Sequence, residues 1–320
     1  TTGDRGELNI IIQPTPGYER NAWEYEKLDS LIYVLYIFFG RSRLAGLVER
    51  AENTDHMTGL LNASGLNRKY VPKMSAGLLY DYYGLYINIK NFKWINDRVG
   101  PRVGDKFLRM YSSYIQNLLQ PGEDIARLGG DNFFALIHSS RVNEFLKAIR
   151  KIPLSDTTSH TKKTFEISSR VGICPTANSD AFSDVLNLSH IALMVAKTST
   201  TSQDVIWYNK DMRIQTMHDK EVSLLFPQAL AKREFVVYYQ PKINLENESF
   251  CGAEALVRWV QRGKIIQPLD FIPVLEREGS VCDLDFYVLR NVCQDLNNWI
   301  ELGIKPPCVS VNFSKVHLHD

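Results

Sequence analysis

The sequence predicts an α/β (α+β) protein with two domains, the first built on a central mixed or antiparallel sheet wrapped by helices. Three observations lead to this class. The chain has 320 residues, enough for two domains. Helical and strand-like patterns alternate along its first two thirds. In the middle of that alternation, the stretch Arg127–Phe133 carries two glycines and an acid that separate two apolar runs, Ile125–Leu128 and Phe133–Ile137, which is the signal of a β-hairpin with a tight, positive-φ turn.

Charge and cysteine content exclude several classes of function. The 37 basic and 36 acidic residues give a net charge of +1, so there is no electrostatic reason to expect nucleic acid as a partner or an anionic membrane surface. Five cysteines without C-x-x-C spacing predict neither a disulfide framework nor a zinc site. We therefore expect a reduced, cytoplasmic compartment. The chain starts with Thr and shows no signal-peptide pattern, so we expect a piece of a longer protein.

Residues 1–54 predict an N-terminal strand and a long helix. The strand candidate is Leu8–Ile12, and apolar residues recur at intervals of three and four from about residue 21 to 53. The longest apolar run, Leu31–Phe39, is about half of what a bilayer span needs. We therefore expect this run to be a buried helix face and a membrane segment to be unlikely in this fragment.

The next elements follow in a regular order. The patterns predict a helix over 63–76, a strand at Gly84–Lys90, a helix at Val103–Leu119, the hairpin, a helix at Val142–Ile149, a strand at Glu166–Cys174, a helix at Phe182–Lys197, a strand at Val205–Tyr208 and a second long helix at Met212–Lys232.

The hairpin turn carries the first candidate chemistry. Gly129 and Gly130 allow the backbone to come close to a bound group, as loops that hold phosphates require. Asp131 can hold a divalent cation against such a phosphate, because hard cations choose carboxylate oxygen. By itself this stretch is better explained as an ordinary Gly-Gly hairpin, and only the neighbouring motifs favour a functional turn.

Four motifs together resemble the GGDEF family of diguanylate cyclase domains over residues 55–210. The turn reads GGDNF, Asp55–Asn62 is similar to the opening D-x-LTGLxNR, Asn91–Asp97 to FKxIND, and Gly100–Asp105 to GHxxGD. The resemblance implies a mixed sheet wrapped by helices, and a reaction that joins two GTP molecules into cyclic di-GMP with Mg (or Mn) as the cation. In such phosphoryl chemistry, positioning and charge neutralisation carry most of the catalysis.

Three positions depart from the family pattern in the implied metal site. The resemblance makes Asp131 a catalytic residue and a metal ligand. Asn88 and Lys90 stand at the family's D-x-D, and Asn132 stands where the turn has Glu. Asn88 could ligate a cation through its amide oxygen, but without the charge of a carboxylate. Lys90 could weaken metal binding or neutralise a phosphate. These departures argue against cyclase activity.

The implied nucleotide-binding positions are better preserved. Asn96 and Asp105 match the two guanine-contacting positions, an amide and a carboxylate that suit the edge of guanine. Gly129 and Gly130 supply the turn backbone. Lys197 matches a phosphate-contacting lysine, although Ser199-Thr200-Thr201 replaces the Gly-Arg-Asn that usually follows. The family's product-inhibition motif R-x-x-D is absent upstream of the turn, so we expect no such inhibitory site.

The last third resembles the beginning of an EAL domain, a cyclic di-GMP phosphodiesterase with a TIM-like barrel. The matching motifs are Tyr239-Gln240-Pro241, Glu254–Trp259, Phe271-Ile272-Pro273 and Val311–Ser314. By this resemblance Glu254 is catalytic, Glu254 and Asn312 are metal ligands, and Gln240 and Arg258 contact the substrate. We expect a linker helix at residues 211–234 and a partial EAL-like barrel at residues 235–320. The remaining family ligands would lie past Asp320, which leaves the site incomplete in this chain.

The leading interpretation is a cyclic di-GMP signalling protein in which a degenerate, GTP-binding GGDEF domain regulates an EAL phosphodiesterase. One alternative is a working cyclase that tolerates Asn88. Another is a non-enzymatic scaffold that forms homodimers through the helices at residues 21–53 or 212–232. The first of these helices resembles the signalling helices that join a sensor to its output, or it packs on its own domain. GTP, cyclic di-GMP or both are the expected ligands.

Overall fold

The computed structural model describes residues 22–156, 163–198 and 203–318. The chain divides into two compact units, Thr1–Asn187 and Leu188–Asp320. The strand expected at Leu8–Ile12 lies outside the described residues. The elements that begin in the first unit are α1 (Ala22–Asn53), α2 (Ala63–Ser75), β1 (Tyr82–Ile89), α3 (Phe92–Val99), α4 (Pro101–Leu118), β2 (Asp124–Gly129), β3 (Asn132–His138), α5 (Val142–Ile149), β4 (Ile152–Asp156), β5 (Lys163–Ile167), β6 (Ser169–Pro175) and α6 (Phe182–Thr198).

A central sheet organises the first unit. Its strands lie in the order β2-β3-β1-β6, and each neighbouring pair is antiparallel. On one face, Phe133 packs against Tyr111 of α4, with ring centroids 5.1 Å apart. On the other face, Phe182 at the start of α6 packs between Phe134 and Tyr70 of α2. The sheet is therefore covered by helices on both faces, which confirms the predicted fold class.

The predicted elements of this unit agree with the structure to within a few residues, with two differences. The strand predicted at Glu166–Cys174 is two strands, because the chain changes partner at Ser168: β5 pairs with β4, and β6 pairs with β1. The short helix α3 and the β4–β5 hairpin were not predicted. Both are short and carry little periodicity of their own.

Helix α1 exposes its apolar run, so the expectation of a buried helix face is wrong. Tyr36 and Phe38 are 70% and 65% exposed. The end of α1 is held by Asn62, whose side-chain amide donates to the Glu52 carbonyl oxygen at 2.8 Å. Within the described chain, one segment, Glu26–Asn53, is long and apolar enough to cross a membrane, a property that core helices of soluble proteins share.

The second unit is a layer of strands backed by helices. Its elements, after the end of α6, are β7 (Val205–Trp207), α7 (Lys210–Ala231), β8 (Phe235–Ile243), β9 (Phe250–Gln261), β10 (Lys264–Ile266), α8 (Pro268–Glu278), α9 (Val281–Glu301) and β11 (Val309–Val311).

In that layer, β9 pairs with β8 and β10 antiparallel and with β11 parallel. The core forms where the helices cover one face of the sheet, around Phe235, Trp259 and Phe271. Side chains of α7 and α9 complete that core, among them Phe226 and Leu284. Over the described residues these strands form an open sheet and no closed barrel, consistent with the expected partial barrel.

Candidate functional sites

The GGDNF turn is a glycine-dependent connection between β2 and β3. Gly129 has a φ of +124° and Gly130 a φ of +55°, and the first of these values is accessible to glycine almost alone. The hairpin and its positive-φ turn were both predicted. The backbone N–H of Ile89 donates to the carbonyl oxygen of Asp131 at 3.2 Å. The turn therefore lies against the end of β1, where Asn88 is located.

Arg127 donates hydrogen bonds both to the turn and to Asp55. Its Nε and Nη2 atoms donate to the carbonyl oxygen of Gly130 at 3.0 and 2.8 Å. Its Nη1 atom donates to both carboxylate oxygens of Asp55 at 3.0 and 3.1 Å. Arg127 is buried, so the turn is fixed to the Asp55 segment by a largely desolvated ion pair. The sequence had indicated both residues as motif positions but not their contact.

The environment of Asp55 favours its ionised form. The carboxylate also accepts hydrogen bonds from the backbone N–H and the hydroxyl of Thr58, at 2.9 and 2.7 Å. Partial burial raises the pKa of Asp55, but the hydrogen bonds from Thr58 and Arg127 and the charge of Arg127 outweigh it and lower the pKa below its ordinary value. Asp55 is thus a charged anchor of the turn.

Asn88 and Asn132 are bonded to each other. They are directly opposite in the register of β1 and β3, and the Asn88 Nδ2 atom donates to the Asn132 Oδ1 atom at 3.0 Å. The Asn132 Nδ2 atom in turn donates to the Gly129 carbonyl oxygen at 3.3 Å. Asn88 is only 6% exposed. Two neutral amides therefore satisfy each other at the two positions where the family pattern has acids.

Arg170 is the neighbour of Asn88 on its other side. β1 and β6 pair so that Asn88 is directly opposite Arg170. Directly opposite residues of antiparallel strands lie on the same face of a sheet. Asn132, Asn88 and Arg170 therefore form one row across β3, β1 and β6. Arg170 was not among the residues predicted from the sequence, because its alignment with Asn88 depends on strand register.

The residues at this turn do not fit a divalent cation. Asp131 is the one acid of the turn, the amides of Asn88 and Asn132 are bonded to each other, and a guanidinium stands in the same row. Among the described residues there is no group of three or more His, Cys, Asp or Glu side chains that could hold a metal ion. Hard cations favour several carboxylate oxygens.

The two guanine-contacting candidates lie at the junction of α3 and α4. Asn96 belongs to α3, and Asp105 lies near the start of α4. The Oδ1 atom of Asn96 is buried and accepts no hydrogen bond from the described residues. A Cβ atom at Gly104 would lie 1.8 Å from that oxygen. Gly104 therefore makes room for the Asn96 amide, whose oxygen packs against this glycine.

Lys197 lies in the second unit, next to the last residue of α6. Burial lowers the pKa of His190, and the charges of Lys197 and Lys220 lower it further. The positive charges of Lys197 and Lys220 therefore act on His190. The structure does not bring Lys197 together with the turn inside one compact unit. Of the three residues that replace Gly-Arg-Asn, all lie outside the described part of the chain.

Three of the candidate residues of the second unit lie close together. Gln240 of β8 is directly opposite Glu254 of β9. Asn312 follows β11, and its Nδ2 atom donates to the Glu254 Oε1 atom at 2.8 Å. A carboxylate and an amide oxygen are both suitable ligands of a divalent cation. These residues fit a metal site to which they would contribute two ligands.

Arg258 lies four residues beyond Glu254, on the same face of β9. Its Nη1 atom donates to the Val257 carbonyl oxygen at 2.8 Å, and its guanidinium lies 5.9 Å from the ring centroid of Tyr238. On the other side of Glu254, Lys242 donates to the Ser310 hydroxyl at 2.6 Å. The sequence analysis did not identify Tyr238 or Lys242, whose proximity to the candidates follows from the pairing of β8, β9 and β11.

Comparison with known families agrees with this division of the chain. The family described as "Diguanylate cyclase, GGDEF domain" matches residues 52–203, and the "EAL domain" family matches residues 225–320. The chain therefore contains a GGDEF domain followed by EAL-domain sequence. Both predicted resemblances are confirmed.

Particular relatives are longer than this chain. The biofilm architecture maintenance protein MbaA of Vibrio cholerae is 27% identical over 322 residues, covering 92% of this chain and 39% of that protein. The bifunctional diguanylate cyclase/cyclic di-GMP phosphodiesterase MucR of Pseudomonas aeruginosa is 26% identical over 266 residues, covering 81% of this chain and 39% of that protein. The chain thus spans about two fifths of the length of these relatives.

A solved structure supports the fold. The S helix-GGDEF-EAL part of Vibrio cholerae LapD, bound to c-di-GMP, is similar with a TM-score of 0.51 and 15% sequence identity. The match covers 87% of this chain and 65% of that one. At this identity the similarity establishes the fold class of the chain.

Proposed function

We propose that this chain is part of a cyclic di-GMP signalling protein whose GGDEF domain binds a guanine nucleotide without converting it and regulates an EAL phosphodiesterase. The domain pair and relatives such as MucR support the signalling role. The observation that carries the non-catalytic part is the hydrogen bond between Asn88 and Asn132.

The bond matters because phosphoryl transfer depends on neutralising charge as it develops. A cation held by two or more carboxylates does this in metal-dependent enzymes. At the GGDNF turn, Asn88 and Asn132 carry no charge. The Asn88 Nδ2 atom donates to the Asn132 Oδ1 atom, and the Asn132 Nδ2 atom donates to the Gly129 carbonyl oxygen. Asp131 alone is left as an acid, too little to hold a cation beside a triphosphate.

Nucleotide binding has separate support. The Asn96 Oδ1 atom accepts no hydrogen bond from the described residues and lies against Gly104, the residue before Asp105. An amide together with a carboxylate can read the donor and acceptor edge of guanine. The open backbone at Gly129 and Gly130 leaves room for phosphate oxygens. We assign Asn96 and Asp105 to the base and the two glycines to the phosphates, with Lys197 as a further phosphate contact.

In the EAL domain we assign Glu254 and Asn312 as metal ligands and Gln240 and Arg258 as substrate contacts. A bound divalent cation would supply an activated water and stabilise the leaving oxygen of the phosphodiester. Arg258 suits a phosphate oxygen through its fork of donors, and Tyr238 holds the guanidinium by cation–π contact. Cyclic di-GMP is the proposed substrate of the whole protein.

The domain boundaries, the location and the self-association are further parts of the proposal. We propose that the GGDEF domain spans residues 55–210, that residues 211–234 link it to the EAL domain at 235–320, and that both domains act in the cytoplasm, where GTP is made. The apolar residues that α1 exposes support a homodimer formed through that helix. Light scattering of the chain and of a Tyr36→Lys/Phe38→Lys variant tests this: a dimer that the variant breaks is expected, and a monomeric parent chain contradicts it.

Equilibrium dialysis with GTP, followed by chromatography of the nucleotides, tests the main proposal. We expect bound and intact GTP with either Mg²⁺ or Mn²⁺ present. Formation of cyclic di-GMP that Asp131→Asn abolishes would instead establish an active cyclase, the alternative that the retained Asp131 favours. Failure to bind GTP would leave the scaffold interpretation.

A further inference from the structure

The row Asn132–Asn88–Arg170 places a permanent positive charge where a metal-dependent site would need ligands. Arg170 is opposite Asn88 in the register of β1 and β6, as Asn132 is in the register of β1 and β3. Directly opposite side chains have Cβ atoms about 4.5–5.5 Å apart, well within the reach of an arginine. Lys90, two residues beyond Asn88, adds a second cation at the same end of β1.

We propose that the GGDNF site binds the phosphates of its nucleotide without a divalent cation and that Arg170, assisted by Lys90, provides the positive charge. This inference rests on the proposed nucleotide binding of the GGDEF domain and specifies how it occurs. It reverses the expectation of a Mg or Mn site at Asp131 and Asn88, because Asn88 and Asn132 carry no charge and the Asn132 Oδ1 atom already accepts a hydrogen bond from Asn88.

The chemistry of the row suits phosphate. A guanidinium presents several N–H donors in a planar fork and remains charged at any physiological pH, which makes it a strong phosphate ligand. The Asn88–Asn132 bond holds these two side chains of the row together. Nothing lies within 4 Å of a Cβ added at Gly129 or Gly130, so the backbone of the turn is open to a phosphate.

The first test uses the unmodified chain. GTP is titrated calorimetrically in excess Mg²⁺ and again in excess EDTA. We expect dissociation constants that agree to within about threefold, since no metal bridges protein and phosphate. Binding in Mg²⁺ that disappears in EDTA would overturn this inference but leave the proposed function intact. Absence of binding under both conditions would overturn the proposed function itself.

The second test identifies the source of the charge. Arg170→Gln should weaken GTP binding by about tenfold to a hundredfold, the usual effect of losing a charge-assisted hydrogen bond. Arg170→Lys should retain part of it, and guanosine, which has no phosphate, should bind the parent chain and Arg170→Gln equally. Arg109→Ala removes the same charge from the exposed face of α4 and serves as the control. Equal GTP affinity of Arg170→Gln and the parent chain, with both melting normally, would contradict the assignment.

Discussion

The Asn88 and Asn132 side chains form a 3.0 Å amide–amide hydrogen bond at the end of β1, beneath the GGDNF turn. Two acids at these positions would repel each other unless a cation lay between them. Two amides need no cation, because one donates to the other. The bond therefore stabilises the turn in a metal-free state. The replacement of two acids by two amides also removes the charge that a cyclase requires.

Restoring acids at both positions should make the fold depend on a divalent cation. In the Asn88→Asp/Asn132→Glu variant, three carboxylates including Asp131 meet at the turn, so we expect a lower melting temperature without metal. Added Mg²⁺ should then raise it by about 2–4 °C for each kcal/mol that binding contributes. Differential scanning fluorimetry with and without Mg²⁺ measures this. The parent chain and Asn88→Ala/Asn132→Ala retain only the candidate ligands of the EAL domain, so they should respond to Mg²⁺ more weakly than the acidic variant. A parent chain that responds as strongly as the acidic variant would contradict a metal-free turn.

Removing Arg127 should destabilise the first unit strongly. Arg127→Ala leaves Asp55 without its guanidinium and the Gly130 carbonyl oxygen without its two donors. Breaking a buried pair from one side costs about 3–5 kcal/mol, which urea unfolding measures. Arg109→Ala, at an exposed position of the same unit, should change the free energy of unfolding by no more than about 0.5 kcal/mol. Similar changes in the free energy of unfolding for both variants would show that the contacts of Arg127 with Asp55 and Gly130 contribute little to stability.

Acid should weaken the ion pair between Arg127 and Asp55. The pKa of Asp55 is lower in the folded chain than the ordinary pKa of an aspartate side chain. The contribution of Asp55 to the free energy of unfolding is therefore complete at pH values above the ordinary pKa range of carboxylates. It is lost as the pH falls through the lowered pKa of the folded state. Unfolding free energies measured from neutral to acidic pH should fall more steeply for the parent chain than for Asp55→Asn. Parallel pH curves of the two proteins would contradict this role of Asp55.

A methyl group at Gly104 should impair nucleotide binding more than stability. The added Cβ would meet the Asn96 Oδ1 atom at 1.8 Å, and the amide, as the end of a side chain, can move away. Gly104→Ala should therefore weaken GTP binding about tenfold or more with a small change in melting temperature. Gly46→Ala in α1 is the matched control, because nothing lies within 4 Å of its new Cβ. Unchanged GTP affinity in Gly104→Ala would remove Asn96 from the site.

The fold of the first unit could be predicted because its helices are long and periodic and its hairpin depends on two glycines. The exposure of α1 could not be predicted. Its apolar run between Leu31 and Phe39 has the composition of a core helix, but the structure leaves residues such as Tyr36 exposed. Composition indicates that a surface prefers to be covered, and it does not indicate what covers it.

The candidate site was predictable by residue and not by contact. Asn88, Asn132 and Asp131 follow from motif positions, whereas the Asn88–Asn132 bond and the alignment of Arg170 depend on the registers of β1 with β3 and β6. A shift of one residue would turn each of these side chains to the opposite face. Register is set by contacts between distant parts of the chain, so single motifs do not reveal it.

Calorimetric titration of GTP into this chain, with the nucleotides recovered from the same cell afterwards, tests most directly whether the GGDEF domain binds GTP without converting it. We expect a saturable heat of binding and intact GTP at the end of the titration. Recovery of cyclic di-GMP would contradict this function, because a turn in which Asn88 is bonded to Asn132 would then support the charge neutralisation that the reaction requires.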